Sequence, residues 1–400
     1  MLTARVAPIT RAGLAERIAL ALRSRTPVAR AYFAQNALAI AEAARAVAER
    51  LSSGGRIYAF GRGPYATDAQ HVAVEFVHPV LVGKPALPAS DVSLAFESSL
   101  PVLVRPGDVA IGFGPPEGDR RVHAALAAAR ARGAFSIAWP GSDADFALVA
   151  ASSDEHLHQE LVEITGHLLY ESVHAFLEHR QRAGDAGAST FLYPFLDGTR
   201  APDAHVTVAV AESIRHKAVD AEALRERVAS EESEAIAAAV ATICAELDAG
   251  GRLLLFGNGG SATDATDWAL DCVMPPAGLT PVPALSLAAE PATLSAIAND
   301  VGREFVFLRQ LIAQLGPHDV AVALSTSGGS ANVIAALEEA RKRGNATIAL
   351  LGYDGGEIRR RGLADRTVVV RSDYVPRVQE AQAAVYHTMR HAFAWVRDAR

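Results

Sequence analysis

The chain is expected to be an α/β protein built from two copies of one unit, each a parallel sheet with crossover helices. Three observations predict this. First, Gly-Arg-Leu-Leu-Leu-Phe-Gly-Asn-Gly-Gly-Ser-Ala-Thr-Asp (251–264) has an altered counterpart in the first half, Gly-Gly-Arg-Ile-Tyr-Ala-Phe-Gly-Arg-Gly-Pro-Tyr-Ala-Thr-Asp (54–68), which marks an internal repeat. Second, apolar runs at 252–256, 320–324, 346–351 and 367–371 alternate with helical patterns such as 331–343, and the first half repeats the order at 56–60, 108–113 and 134–139. Short continuous apolar runs separated by helical periodicity read as buried parallel strands with crossovers. Third, each copy opens on a long Ala-rich helical stretch (13–51 and 210–248) and closes on another (155–182 and 377–397).

In chain order, a first domain over 1–183 is followed by a linker over 184–205 and a second domain over 206–400. The linker is rich in Gly, Ala, Asp and Pro, and its aromatic residues Phe191, Tyr193 and Phe195 are expected to pack on a domain face. Half of the 400 residues are hydrophobic, enough for two ordinary cores, so a disordered chain is not expected. Asp and Glu (45) outnumber Lys and Arg (38), and no basic run occurs, which argues against nucleic acid or an anionic membrane as partner. Cys244 and Cys272 sit in apolar surroundings without metal spacing and read as buried thiols of a reducing cytoplasm. Arg5, Arg11, Glu16 and Arg17 interrupt the apolar residues at the N-terminus, so neither a signal peptide nor a membrane span is expected.

The chemistry concentrates in two loops of the second copy. After the run 252–256, Asn258, Gly259, Gly260 and Ser261 offer bare backbone amides, a hydroxyl and a helix start to an anion. After the run 320–324, Ser325, Thr326, Ser327 and Ser330 do the same ahead of the helix 331–343. Ser and Thr are ordinary helix caps, but two such loops at successive strand ends point to a bound phosphate. The first copy has lost both, because Gly61-Arg-Gly-Pro-Tyr65 and Gly112-Phe-Gly-Pro-Pro-Glu117 lack the hydroxyls and proline removes amide donors.

These loops resemble the sugar isomerase (SIS) domain. The second half resembles phosphoheptose isomerases more closely, through Gly257-Asn-Gly-Gly-Ser-Ala-Thr-Asp264, Ala296-Ile-Ala-Asn-Asp-Val-Gly302, Ser325-Thr-Ser-Gly-Gly-Ser-Ala-Asn-Val333 and Gly352-Tyr-Asp-Gly-Gly356. The resemblance implies two tandem SIS domains, each a three-layer, flavodoxin-like fold around a five-stranded parallel sheet. It implies a phosphosugar ligand held by Asn258, Gly259, Gly260, Ser261, Ser325, Thr326, Ser327 and Ser330, with Glu290 in the place of a sugar-contacting Asp, and Asp91 at that place in the first copy. Pro79 and Pro275 stand where the family often carries Arg, which leaves the choice of sugar open.

In the first copy His71 and Glu75 are four residues apart, on one helical face, a spacing suited to a divalent metal or to a surface hydrogen bond. The resemblance makes Gln159 and His167 their partners in a zinc site. The second copy has Asp267 and Asp271 for the His and Glu but keeps Gln379 and His387, which are assigned to the substrate side; the two carboxylates with His387 suit either a metal or a solvated helix face. Eight helical residues rise about 12 Å, so Gln159 and His167 on one continuous helix would not reach one ion, and a site shared between copies is expected. His156, His158, His174 and His179 lack metal spacing and read as helix-surface residues, and Trp268 and Trp395 as packing residues.

The implied reaction converts sedoheptulose 7-phosphate to an aldoheptose 7-phosphate through an enediolate, with Glu75 as base and His167 as acid. The alternatives are isomerisation of another phosphosugar and non-catalytic phosphosugar binding. Packing through the long helices predicts an even number of copies, a homodimer forming a pseudo-tetramer of domains.

Overall fold

The computed structural model describes residues 9–80, 83–181 and 203–397. Phe191, Tyr193, Phe195 and all but the last residues of the expected linker lie outside the described residues.

Among the described residues the strands form two parallel sheets of five. The first has the order β2-β1-β3-β4-β5, with β1 Ile57–Phe60, β2 Ala89–Asp91, β3 Val109–Phe113, β4 Phe135–Trp139 and β5 Phe146–Ala147. The second has the order β10-β9-β8-β6-β7, with β6 Leu253–Phe256, β7 Ala284–Ser286, β8 Val320–Ser325, β9 Thr347–Gly352 and β10 Arg366–Val370. The registers correspond: Ile57 pairs with Val109 as Leu253 pairs with Val320. The central strands β1, β3, β6, β8 and β9 are fully or almost fully buried, which is why they read as unbroken apolar runs. The short edge strands β2, β5 and β7 are partly exposed and carry no such run.

The helices are α1 Arg11–Ser24, α2 Thr26–Ser52, α3 Tyr65–Val77, α4 Phe96–Leu103, α5 Arg120–Ala131, α6 Glu155–Gln181, α7 Asp203–Glu231, α8 Ser233–Asp248, α9 Gly260–Val273, α10 Pro291–Asp300, α11 Val306–Gln314, α12 Ala331–Lys342, α13 Gly356–Arg360 and α14 Val375–Arg397. The helical stretch expected over 13–51 is made of two helices. The interruption falls at Arg25, just ahead of Pro27, which has no N–H to continue the ladder and is tolerated only in a first turn. The stretch 210–248 likewise divides at Glu232, whose carboxylate accepts the Val369 amide (3.2 Å) and pairs with Arg371 (2.6 Å).

The chain divides into two compact units, residues 27–222 around the first sheet, and residues 1–26 with 223–400 around the second. These are not the contiguous segments 1–183 and 206–400 expected from the repeat. In the second-sheet unit α1 buries Leu14, Ile18 and Leu22 in the core that holds Ile236, Val240, Met389 and Phe393, and Arg17 lies 4.2 Å over the Trp395 ring. In the first-sheet unit Val206, Val210 and Ile214 of α7 enter the core of Phe33, Ile40 and Trp139, and Glu222 pairs with Arg30 at 2.8 Å. Burial explains these memberships, since a helix goes where its apolar stripe is covered. Cys244 and Cys272 are buried and outside any disulfide, as expected, and burial pushes the Cys272 thiol up to about 12. No helix among the described residues is long and apolar enough to cross a membrane.

Candidate functional site

In both sheets the chain reverses its direction of winding between the first and third strands, so the loops after β1 and β3, and after β6 and β8, flank the crevice at the carboxyl edge where ligands of such sheets bind. In the second-sheet unit both loops keep their donors. The β6 loop turns through Gly259 (φ 57) into α9, with Ser261 buried at its first turn. Gly257 is needed beside it, because a Cβ there would meet the Ser261 carbonyl oxygen at 2.4 Å.

After β8, the Ser325 hydroxyl accepts the Gly328 amide (3.1 Å) and Ser327 the Gly329 amide (3.2 Å), a loop folded on its own hydroxyls ahead of α12. Asn258 exchanges two side-chain hydrogen bonds with Asn332 (2.9 and 2.8 Å), which ties the two loops together. Ser330 stands at the N-cap of α12 with its side chain making no cap bond, and Thr326 is half-buried beside it. Two helix N-termini, backbone amides and hydroxyls thus gather at the ends of adjacent strands, a set of donors of the kind that suits an anion. Glu290, exposed after β7, caps α10 through the Ala292 amide (2.9 Å).

The first-sheet unit keeps the turn and changes its contents. A Cβ on Gly61 would meet the Tyr65 carbonyl oxygen at 2.1 Å, the same close approach as at Gly257. Arg62, however, pairs across the crevice with Asp119 (2.9 Å), the N-cap of α5. Burial alone would raise the Asp119 carboxyl, but the Val122 and Arg121 amides and the Arg62 guanidinium hold it below the usual range. An internal carboxylate thus occupies the helix terminus where an intact copy offers free donors. Asp91 accepts from the amide and hydroxyl of Ser93, whose hydroxyl takes the Gly61 amide (3.1 Å), so it braces this same turn.

The second cluster of that unit lies between α3 and α6. His71 and His167 bring their Nε2 atoms to 3.1 Å, with the rings inclined at 70°. Glu163 joins them, all three ligand atoms lying within 4.8 Å of one another. Glu75 is 3% exposed, 4.0 Å from His71 Nε2, and lines the same cavity of about 10 Å³ with Asp68 and the apolar walls Val72, Phe113 and Val162. That volume is of the order of one water or ion. Two nitrogens about 2.0–2.1 Å from a tetrahedral ion stand roughly 3.3 Å apart, so the imidazole pair with Glu163 fits a divalent cation.

Of the four residues expected at a metal, His71 and His167 meet, Glu75 lines the cavity, and Gln159, buried two turns away on the continuous helix α6, does not line it. The sequence reading missed Glu163. Its signal was present, one turn before His167 on the same face.

In the second-sheet unit Asp267, Asp271 and His387 also converge: His387 Nε2 is 3.2 Å from Asp271 and 3.5 Å from Asp267, which takes the Tyr386 hydroxyl at 2.8 Å. All three are buried, as is Gln379, so the residues assigned to the substrate side lie in the interior against α9. Burial first, and then the charge of Asp267, raises the Asp271 carboxyl well above the usual carboxylate range.

Three of the histidines read as surface residues are buried: His156 (1% exposed), His158 (4%) and His174 (1%). The neighbouring core covers both faces of α6, which a residue-type reading of a His-rich helix does not reveal. Burial pushes His158 and His174 down to about 4, and His158 donates to the Gly114 carbonyl (3.1 Å).

The sequence profile of the SIS domain matches residues 22–97 and 218–352. The phosphoheptose isomerase of Solidesulfovibrio magneticus is 40% identical over 171 residues, covering 42% of this chain and 82% of that protein. That of Chlorobaculum tepidum is 43% identical over 174 residues, covering 42% and 80%. Among solved structures, the C-terminal domain of glucosamine-fructose-6-phosphate aminotransferase from Francisella tularensis superposes with a TM-score of 0.60 over 94% of this chain and 96% of its own, at 10% identity, a likeness of fold.

Proposed function

The chain belongs to the SIS domain family and is a phosphosugar isomerase; we propose that it interconverts sedoheptulose 7-phosphate and an aldoheptose 7-phosphate by proton transfer between C1 and C2. The observation that carries this reading is the pair of donor loops at the ends of β6 and β8, tied by Asn258 and Asn332. They hold the distal phosphate and fix the position of the sugar chain, which converts binding into orientation.

Proton transfer falls to the other unit. Glu75 is the base that carries the proton between the two carbons, inside apolar walls that keep water from competing for it. His167, facing His71 Nε2 across 3.1 Å, is the acid that serves the oxygen where no cation is bound; with a cation bound its Nε2 is a ligand and has no proton to give. His71, Glu163 and His167 are the residues that would hold a divalent cation, zinc in this reading, and a cation bound there supplies positive charge to polarise the substrate oxygens. Because Glu163 stands as the carboxylate of that trio, Glu75 need not serve as both base and ligand. The reading requires the loops of one unit and the cluster of the other.

Proton NMR of the full chain with sedoheptulose 7-phosphate, stripped of metal and with added zinc, tests it. Aldoheptose anomeric signals that vanish both in Ser325→Ala and in Glu75→Gln are expected. Ligand-induced stabilisation without product would leave a phosphosugar-binding protein and overturn the reaction.

A further inference from the structure

At the amino ends of β1, β3 and β4, opposite the edge that carries the loops, the first-sheet unit opens a crevice of about 830 Å³. Its walls carry Arg50, Arg56 and Arg105. Arg56 and Arg105 are exposed, and among the described residues their guanidinium groups have no ion-pair or hydrogen-bond partner. Arg50 is stacked on the Phe135 ring at 4.3 Å. The carboxylates nearby are already engaged: Glu49 pairs with Arg45 (2.7 Å), and Asp108 accepts the backbone amides of Arg56 and Arg105 (2.9 and 2.8 Å).

A second, independent feature points into the same space. Tyr58 lines the crevice from β1, is only 8% exposed, and its hydroxyl has no hydrogen-bond partner among the described residues. The ring is packed while the hydroxyl opens to the crevice, where it can meet a ligand.

The other copy has closed the corresponding corner. Arg252, which precedes β6 as Arg56 precedes β1, is bound to Asp319 (2.8 Å) and donates to the Gln314 carbonyl (2.7 Å). Leu254, fully buried, stands where Tyr58 does, and Gly316 where Arg105 does. The two copies therefore differ here: the corner is self-paired in the second-sheet unit and open and cationic in the first. On its lip Val102 (79% exposed) and Leu103 (41% exposed) offer apolar surface.

We infer that this crevice binds a phosphate-bearing small molecule with an apolar, planar body, the nucleotide class, at a site separate from the phosphate loops. Two unpaired guanidinium forks match phosphate oxygens, the Tyr58 hydroxyl adds a donor, and the Val102 and Leu103 lip covers the body. The volume is that of an ordinary small-molecule pocket.

Isothermal titration of the full chain with ADP, and with inorganic pyrophosphate as the probe without a body, tests the site. ADP is expected to bind, more tightly than pyrophosphate, and to keep its affinity in Ser325→Ala. Each of Arg56→Ala and Arg105→Ala is expected to weaken ADP about tenfold or more, as loss of a charged hydrogen-bonding partner does. Tyr58→Phe, which keeps the ring packing, is expected to weaken it several-fold. Absence of ADP binding, binding indifferent to both arginines, or binding lost in Ser325→Ala would each overturn the inference.

Discussion

Exchanging one carboxylate for another candidate ligand separates two readings of the histidine cluster. On α6 Glu163 stands four residues from His167, a rise of about 6 Å, one turn along the same face, whereas Gln159 stands eight residues away, about 12 Å. The Nε2 atoms of His71 and His167 are 3.1 Å apart and the Glu163 oxygen lies within 4.8 Å of both, a span that one ion can bridge. Even residues that merely orient a ligand alter metal affinity by about 10- to 100-fold, so loss of a direct carboxylate ligand in Glu163→Ala is expected to reach at least about 100-fold, about 2.7 kcal/mol.

Gln159→Ala is expected to change affinity by no more than about threefold, which is under 1 kcal/mol. Zinc affinity would be read by competition with a chromophoric chelator at neutral pH. A His387→Gln background prevents the Asp267, Asp271 and His387 cluster of the other unit from contributing. If Gln159→Ala released zinc while Glu163→Ala retained it, the assignment of Glu163, and with it the release of Glu75 to act as base, would be refuted.

Three further outcomes are expected. Gly328→Ala places a Cβ 2.2 Å from the Gly355 carbonyl oxygen at φ 61; a left-handed residue alone costs about 1–2 kcal/mol, so steady-state kinetics should show KM for the phosphosugar raised at least about tenfold, and an unchanged KM would remove the β8 loop from the site. Arg62→Ala deletes the pair that fills the first-sheet crevice and should leave KM within about twofold and stability within about 1 kcal/mol, because partly exposed ion pairs contribute little. His158 and His174 titrate near 4 in the fold against 6.5 in the free side chain, so the unfolded chain takes up protons first as pH falls. Their stabilisation is complete above pH 6.5 and is lost progressively towards pH 4, at about 3 kcal/mol for each. Urea melts at pH 7.5, 5.5 and 4.5 should show this loss, and His174→Gln should flatten it.

The repeat, the parallel sheets and the glycine- and hydroxyl-rich loops after β6 and β8 were legible because each leaves a local mark: continuous apolar runs such as Leu253, Leu254 and Leu255, and hydroxyl and glycine clusters at their ends. The edge strands left none, since Ala89, Ser90 and Asp91 are held by pairing with β1 rather than by their own composition. The interruption at Arg25 was written in Pro27, but an Ala-rich stretch on both sides masked it. Glu163 and the burial of His158 and His174 depend on what packs against α6 from elsewhere in the chain, which residue type and spacing on one helix do not contain. The same holds for the Arg62 and Asp119 pair, whose partners come from different loops.

Because α1 is counted with residues 223–400 while the intervening residues 27–222 form the other unit, the first-sheet unit is an insertion within the chain of the second. The apparent tandem order is therefore a poor guide to dissection. A cut inside 184–205 would yield two fragments that each lack core the other carries: Leu14, Ile18 and Leu22 would leave with the first, and Val206, Val210 and Ile214 with the second. Such a nicked chain should remain associated as a split protein. The compact units are instead 27–222 and residues 1–26 with 223–400, so a dissection that follows them keeps α1 with the core it enters.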